Sequence, residues 1–313
     1  MKVSVVICTY SEDIYEHFEE AVESVLAQTY DDVEVVIVID GDRDLYDRAE
    51  NRWANHEDVL IHCNDHNRGL SASRNRGIEL ATGDVIAFMD DDAVADERWV
   101  EELVSVYNDR DVEAVGGTMT PIWIAGEPAF LPAEFHWLVG VTHRGFPDEG
   151  PVRNTFGSNI SFRADALGQL DGFDEQLGRK GDRHVQGEET ELAARLRDEL
   201  NGTLYYSPRA RVGHKVFAYR TRFSWLVKRA FWQGYSKRVM KRLLPDSGGN
   251  EATFLRRLLV EFVPQRVREL LQAPTTAKGS QLAAIGVFTA AVGLGYVYGE
   301  ARYVLESLLG RDA

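Results

Sequence analysis

The chain has 313 residues, with 35 Lys+Arg against 50 Asp+Glu and a formal net charge of −15. At 44% hydrophobic and 27% charged residues it is neither a disordered chain nor a multi-span membrane protein. The acidic balance excludes an ordinary nucleic-acid binder, which needs a basic footprint. The charge is unevenly spread: residues 1–208 hold 17 basic and 43 acidic side chains, and residues 209–242 hold eleven basic and no acidic ones. Only seven basic residues are Lys. An acidic, Lys-poor surface suggests a high-salt setting, where screening removes much of the self-repulsion. Cys8 and Cys63 lie inside apolar runs and are expected to be buried thiols, not a disulfide or metal framework.

The first half alternates strand and helix signals. Val3 to Cys8 is a β-branched run that predicts a buried strand; it stops at Thr9-Tyr10-Ser11, too soon for a signal-peptide core. Glu16 to Gln28 carries Phe18, Ala21, Val22, Val25 and Leu26 at helical spacing. A second strand is predicted over Val33 to Ile39, a polar helix over Asp44 to Asn55 and a third strand over Val59 to Cys63. Then follow a helix over Leu70 to Ala81, a strand over Val85 to Met89, a helix over Asp96 to Tyr107 and a fifth strand over Val112 to Thr118. Repeated βα units predict an α/β fold with a mostly parallel sheet, right-handed crossovers and ligands at the strand C-termini.

After Thr118 the rhythm breaks. Pro121 to Pro151, rich in Trp, Phe, Pro and Gly, predicts a long loop or substrate flap. Thr155 to Phe162 predicts a strand, Glu188 to Glu199 a helix and Leu204 to Ser207 a short strand. Beyond Arg209, aromatic and basic residues interleave, and Thr253 to Gln272 is predicted as one amphipathic helix. Gly279 to Gly299 then runs 21 residues without a charge. At about 1.5 Å per residue this matches a hydrocarbon core of about 30 Å, and predicts a transmembrane or deeply inserted helix.

Chemistry concentrates in a few places. Asp90-Asp91-Asp92 ends the fourth strand, and three adjacent carboxylates repel one another unless a cation sits among them. Mg²⁺ or Mn²⁺ there would bridge the carboxylates to a diphosphate arriving at the strand end. Asp40 ends the second strand, where its carboxylate can accept a hydrogen bond from the imide N–H of uracil; Thr9-Tyr10 could form another side of the same pocket. Asn67 to Asn75 opens a helix, with Gly69 allowing close approach of the backbone and Arg74 one turn in, within reach of a diphosphate.

Taken together, Ile7-Cys8-Thr9-Tyr10, Asp40-Gly41-Asp42, Asn67 through Asn75, Gly83-Asp84, Asp90-Asp91-Asp92 and Gly187-Glu188-Glu189-Thr190-Glu191-Leu192 resemble the family 2 glycosyltransferases of the GT-A fold, over about residues 1–215. The resemblance implies a nucleotide-diphosphate-sugar donor, a divalent cation and inversion of the anomeric centre. Carried over, Thr9, Tyr10 and Asp40 would bind the base, and Arg74, Asp90 and Asp91 the diphosphate and ribose. Asp92, with Asp90 and His214, would hold the metal. Glu189 or Glu188 would be the catalytic base; the family usually has Asp where Glu189 stands. The implied organisation is a catalytic domain over 1–215 (a nucleotide-binding half, 1–118, and an acceptor half, 119–215), basic membrane-interface helices over 216–275 and a membrane helix over 279–299.

More narrowly, the acidic composition, the Glu188-Glu189 variant and the C-terminal anchor resemble haloarchaeal transferases that add hexuronic acid to dolichyl-phosphate-linked glycans for S-layer protein glycosylation. That implies UDP-glucuronate as donor, a lipid-phosphate-linked acceptor and a cell-membrane location with the catalytic domain on the cytoplasmic face. Arg153, Arg163 and Arg179 are candidate partners for a uronate carboxylate. The competing expectations are a dolichyl-phosphate mannose or glucose synthase and a non-catalytic, membrane-anchored nucleotide-sugar-binding scaffold.

Overall fold

The computed structural model describes residues 1–177, 187–243 and 250–308. They divide into two compact units, one of residues 1–121 and 147–215, the other of residues 122–146 and 216–313. Residues 122–146, expected as a loop of the acceptor half, thus group with the C-terminal helices.

The first unit is built on strands β1 (Val3–Thr9), β2 (Val33–Ile39), β3 (Val59–Cys63), β4 (Val85–Asp90), β5 (Ala93–Ala95), β6 (Ala114–Trp123), β7 (Gly150–Pro151), β8 (Ile160–Arg163) and β9 (Leu204–Val216). The sheet order is β3-β2-β1-β4-β8-β6-β9-β5, with β7 pairing β9. The β3-β2-β1-β4 half is parallel. β8 enters antiparallel between β4 and β6. The parallel rhythm expected from the sequence is therefore kept in the direction of β6 but interrupted by one reversed strand.

The helices of this unit are α1 (Tyr15–Leu26), α2 (Arg43–Trp53), α3 (Leu70–Leu80), α4 (Trp99–Asp109), α5 (Ala164–Gln169) and α6 (Glu188–Leu200). One face of the sheet buries Val6, Val36, Phe88, Ile160 and Phe162 against Leu167 of α5, Leu170 just past it, and Leu192 and Leu196 of α6. The alternate residues Val3, Val5 and Ile7 are equally buried. Both faces are covered, which is why these strands read as unbroken Val/Ile runs.

The second unit holds a 3-10 segment, Ala133–Val139, and helices α7 (Phe223–Leu243), α8 (Asn250–Arg257), α9 (Val263–Gln272) and α10 (Thr276–Leu308). The single helix expected over Thr253 to Gln272 is split by a π-helical turn, Leu258–Phe262. The turn precedes Pro264, which has no N–H to continue the ladder. Glu134 is fully buried and held by Arg144 at 3.1 Å and Arg266 at 2.7 Å. Arg266 also donates to Gln281 at 2.5 Å, and Gln281 donates to the Ala129 carbonyl at 2.9 Å. This polar cluster ties segment 122–146 to α9 and to the start of α10.

α7 and α10 meet backbone to backbone. A Cβ on Gly295 would stand 1.9 Å from the Phe231 carbonyl oxygen, and one on Gly234 would stand 2.0 Å from the Val292 carbonyl oxygen. Only glycine allows this approach. Gly295→Ala should therefore force the helices apart, costing about 1–3 kcal/mol. A lower melting temperature by circular dichroism is the expected result, with no loss or a slight gain for Gly286→Ala, whose Cβ meets nothing within 4 Å and whose helix gains from Ala.

Candidate active site

The C-terminal ends of β1, β2 and β4 lie side by side, with Cys8 opposite Asp90 and the Asp40 N–H donating to the Thr9 carbonyl at 2.8 Å. Sheet register alone therefore gathers Thr9, Asp40 and the Asp90-Asp91-Asp92 turn. Tyr10, just past β1, is 65% exposed, leaving its ring open to stack on a planar ligand.

Asp40 is buried and its carboxylate is engaged internally. Oδ1 accepts from Asn64 Nδ2 and the Arg68 N–H, and Oδ2 from the Gly69 N–H, all at 2.8 Å. These bonds shape the turn into α3, where Gly69 has φ +95°. Asp40 is thus first a clamp on that turn; Oδ2, with one bond, keeps a lone pair for a base.

Arg74 is also engaged internally. Its side chain is only 4% exposed. Nη1 donates to Glu188 Oε1 at 3.1 Å, and Nη2 donates to Asp90 Oδ1 at 3.1 Å and the Gly157 carbonyl at 3.2 Å. The guanidinium also faces the rings of Phe173 and Phe88, at 5.3 and 5.9 Å. Arg74 is thus a buried strut between the strand-end acid and the first residue of α6.

Asp92 and His214 come together through β5. Ala93 pairs with His214 in the ladder, and Asp92 Oδ1 lies 3.2 Å from His214 Nδ1, both side chains buried. Adjacent ligands on an ion with bonds of roughly 2.1 Å stand about 3.0 Å apart, so this separation fits two positions on one cation. Beside them, Asp91 Oδ2 is buried and makes no well-formed hydrogen bond among the described residues. Burial, then the charge of Asp92, pushes the Asp91 carboxyl up to about 7. Buried acid without a counterion is the setting a cation relieves. Among the described residues no three His, Cys, Asp or Glu side chains form a complete cage. Asp92 and His214 would hold a divalent ion jointly with ligand oxygens and water.

The first two glutamates of α6 separate in character. Glu188 pairs with Arg74 and accepts the Gly187 N–H at 3.1 Å. Glu189 has its carboxyl raised well above the usual range, first by burial and then by the charge of Glu188. A carboxylate that holds protons more tightly is the stronger base.

Of the candidate uronate partners, Arg163 is removed. It sits opposite Val85, at the far end of β4 from Asp90, and donates to the Val112 and Tyr107 carbonyls at 2.9 and 3.3 Å. Arg153 lies before β8; Arg179 falls outside the described residues.

Sequence reasoning missed the turn before β8. Ser158 Oγ accepts the Asp90 N–H at 3.0 Å, and Gly157 supplies the carbonyl to Arg74. Asn159 is fully buried, accepts from Trp99 Nε1 at 2.9 Å and donates to the Thr118 and Ala210 carbonyls at 3.0 Å. The strand expected from Thr155 begins at Ile160; Gly-Ser-Asn before an apolar run was a legible turn signal.

Known proteins resemble this chain in both sequence and fold. A glycosyl transferase family 2 profile matches residues 4–170. The glucosyl-dolichyl phosphate glucuronosyltransferase of Haloferax volcanii is 52% identical over 301 residues, 96% of each chain. The succinoglycan biosynthesis protein ExoM of Rhizobium meliloti is 30% identical over 205 residues, 64% of this chain and 62% of that one. Among solved structures, the Pyrobaculum calidifontis mannosyltransferase PcManGT with GDP-Man and Mn²⁺ aligns with a TM-score of 0.59 at 17% identity, covering 95% of this chain and 87% of that one. S. aureus TarS with UDP-GlcNAc aligns at 0.56 and 16%, covering 93% and 82%. These last two bear on the fold, which is GT-A.

If Asp92 and His214 hold the cation, Asp92→Ala should weaken binding of Mn²⁺ to the purified protein at least about tenfold, since it removes one of two buried candidate ligands. Electron paramagnetic resonance of free Mn²⁺ measures this without turnover. Unchanged affinity would place the cation elsewhere.

Proposed function

The chain belongs to glycosyl transferase family 2, and from that premise we propose that it transfers glucuronate from UDP-glucuronate to a dolichyl-phosphate-linked glycan in protein glycosylation, with inversion at the anomeric carbon. The observation that carries this is the 52% identity, over 96% of both chains, with a protein named as a glucosyl-dolichyl phosphate glucuronosyltransferase.

In this reading Tyr10 stacks on the uracil, and Thr9 and Asp40 bound its edge. Asp90 and Asp91 face the ribose and diphosphate. Asp92 and His214, with Asp90 nearby, would hold Mg²⁺ or Mn²⁺, which when bound neutralises charge on the departing diphosphate. Arg74 acts by positioning: its ion pair with Glu188 sets the start of α6. Glu189, whose carboxyl is raised, takes the proton from the acceptor hydroxyl as it attacks from the face opposite the diphosphate. Arg153 is the remaining described candidate for the uronate carboxylate.

Residues 1–215 would carry the chemistry and residues 216–308 attach the protein to the cell membrane, the catalytic unit on its cytoplasmic side. The basic run through α7 and the apolar stretch of α10, with a mean hydropathy of 1.7 over its best window, support attachment.

The test supplies purified protein with glucosyl-dolichyl phosphate or dolichyl phosphate as acceptor and, in turn, UDP-glucuronate, UDP-glucose and GDP-mannose as donor. Transfer of glucuronate alone is expected; transfer of glucose or mannose to dolichyl phosphate without glucuronate would overturn the reading. Glu189→Gln should keep donor binding and lose roughly 10²–10⁴-fold in turnover. Because a base works deprotonated and the Glu189 carboxyl is raised, wild-type turnover should climb with pH well above the usual carboxylate range. A flat profile from pH 5 to 8 would remove Glu189 from the role.

A further inference from the structure

α10 has the length to cross a bilayer, with one apolar window from Thr276 to Leu305. What packs along it argues for a different placement. Phe223 meets Phe288, Phe231 abuts Gly295 and Arg242 lies over the Tyr303 ring at 3.2 Å. Both numbers rise together, so α7 runs parallel to α10 and alongside its C-terminal half. α7 carries Lys228, Arg229, Lys237, Arg238, Lys241 and Arg242 and no acid.

The register locates these charges. Lys228 precedes Phe231 by three residues and so stands near the level of Val292. That is about 5 Å along the axis from Thr289, the midpoint of the uncharged stretch. Lys228 is exposed. Were α10 upright across a bilayer, Lys228 and Arg229 would sit deep in a hydrocarbon core about 30 Å thick, where charged side chains are strongly disfavoured. The start of α10 is similarly encumbered, since Gln281 belongs to the Glu134 polar cluster and Lys278 donates to the Glu269 and Ala273 carbonyls at 3.1 and 2.9 Å.

The opposite side of α10 is uniformly apolar. Ala283, Val287, Ala290, Leu294, Val297 and Ala301 recur every three or four residues and are all exposed, Leu294 and Val297 to 64% and 63%. An apolar stripe on one side of a helix pair, with cations on its partner helix, is the pattern of a helix lying in the membrane plane. We propose that α10 does not cross the membrane: it lies in the plane of one leaflet, this stripe sunk among acyl chains and the cations of α7 at the level of anionic headgroups. Both ends of α10 then remain on one side. The proposal rests on the membrane attachment inferred above and specifies its form.

The full chain is used, with Cys8 and Cys63 replaced by Ala and single cysteines introduced as Thr276→Cys or Arg302→Cys. Flotation with vesicles of anionic phosphatidylglycerol and neutral phosphatidylcholine comes first; binding is expected, and Leu294→Lys with Val297→Lys should reduce it at least tenfold with unchanged thermal melting. Failure of the parent chain to float would overturn membrane attachment itself. Sealed inside-out cell-membrane vesicles are then treated with an impermeant maleimide. Both cysteines should react without detergent. If one reacts only after detergent, α10 spans, and the in-plane proposal falls while attachment stands. If the stripe is instead covered by a second copy of the chain, a lipid-free dimer broken by the Lys pair would also overturn it.

Discussion

The guanidinium of Arg74 is the joint on which the site depends. It is removed from water and gives bonds to three segments that are distant in sequence: the end of β4, the turn before β8 and the first residue of α6. Four carboxylates, those of Asp90, Asp91, Glu188 and Glu189, crowd this region, and Arg74 is the buried cation interposed between two of them. Losing one partner of such a buried pair costs about 3–5 kcal/mol, mostly because the remaining charges are left uncompensated. Lys could not substitute, since three acceptors lying in different directions require a planar fork and not a point charge.

The reversed strand β8 explains how the second of those segments, the turn before it, arrives. A strand parallel to β4 would end at the site; one antiparallel to it begins there. With Ile160 opposite Phe88, the turn of residues 155–159 is delivered to the C-terminal end of β4, where Ser158 caps the Asp90 N–H. One reversed strand thus converts a sheet-edge loop into part of the site.

Much of this was legible in the sequence where burial imposes a pattern. β1, β2 and β4 are covered on both faces, so their Val/Ile runs mark them to within a residue or two. The Asp triplet and the Glu pair were legible because their members are adjacent. β9 was not: expected over Leu204 to Ser207, it continues to Val216, because Pro208 and the outward-facing Arg209 and Arg211 disguise a period-two alternation with Ala210 and Val212. The three-residue β5 is too short to carry a pattern. Helices were expected over 216–275, but the bounds of α7 were not legible, because its basic and aromatic residues are spread around the helix. Nor could spacing disclose that Asp40 and Arg74 are engaged internally, since their partners lie up to 114 residues away.

The Glu134 clamp has a consequence for how the second unit responds to ionic strength. Exposed pairs such as Arg43 with Asp47 are screened away as the Debye length falls to about 3 Å in molar salt. Glu134 is fully enclosed, with Arg266 nearly so, and mobile ions cannot enter between them. The cohesion of segment 122–146 with α9 and α10 therefore persists at salt concentrations that silence most surface electrostatics. In a chain of this acidity, brine would dissolve the long-range repulsion and leave that internal bond untouched.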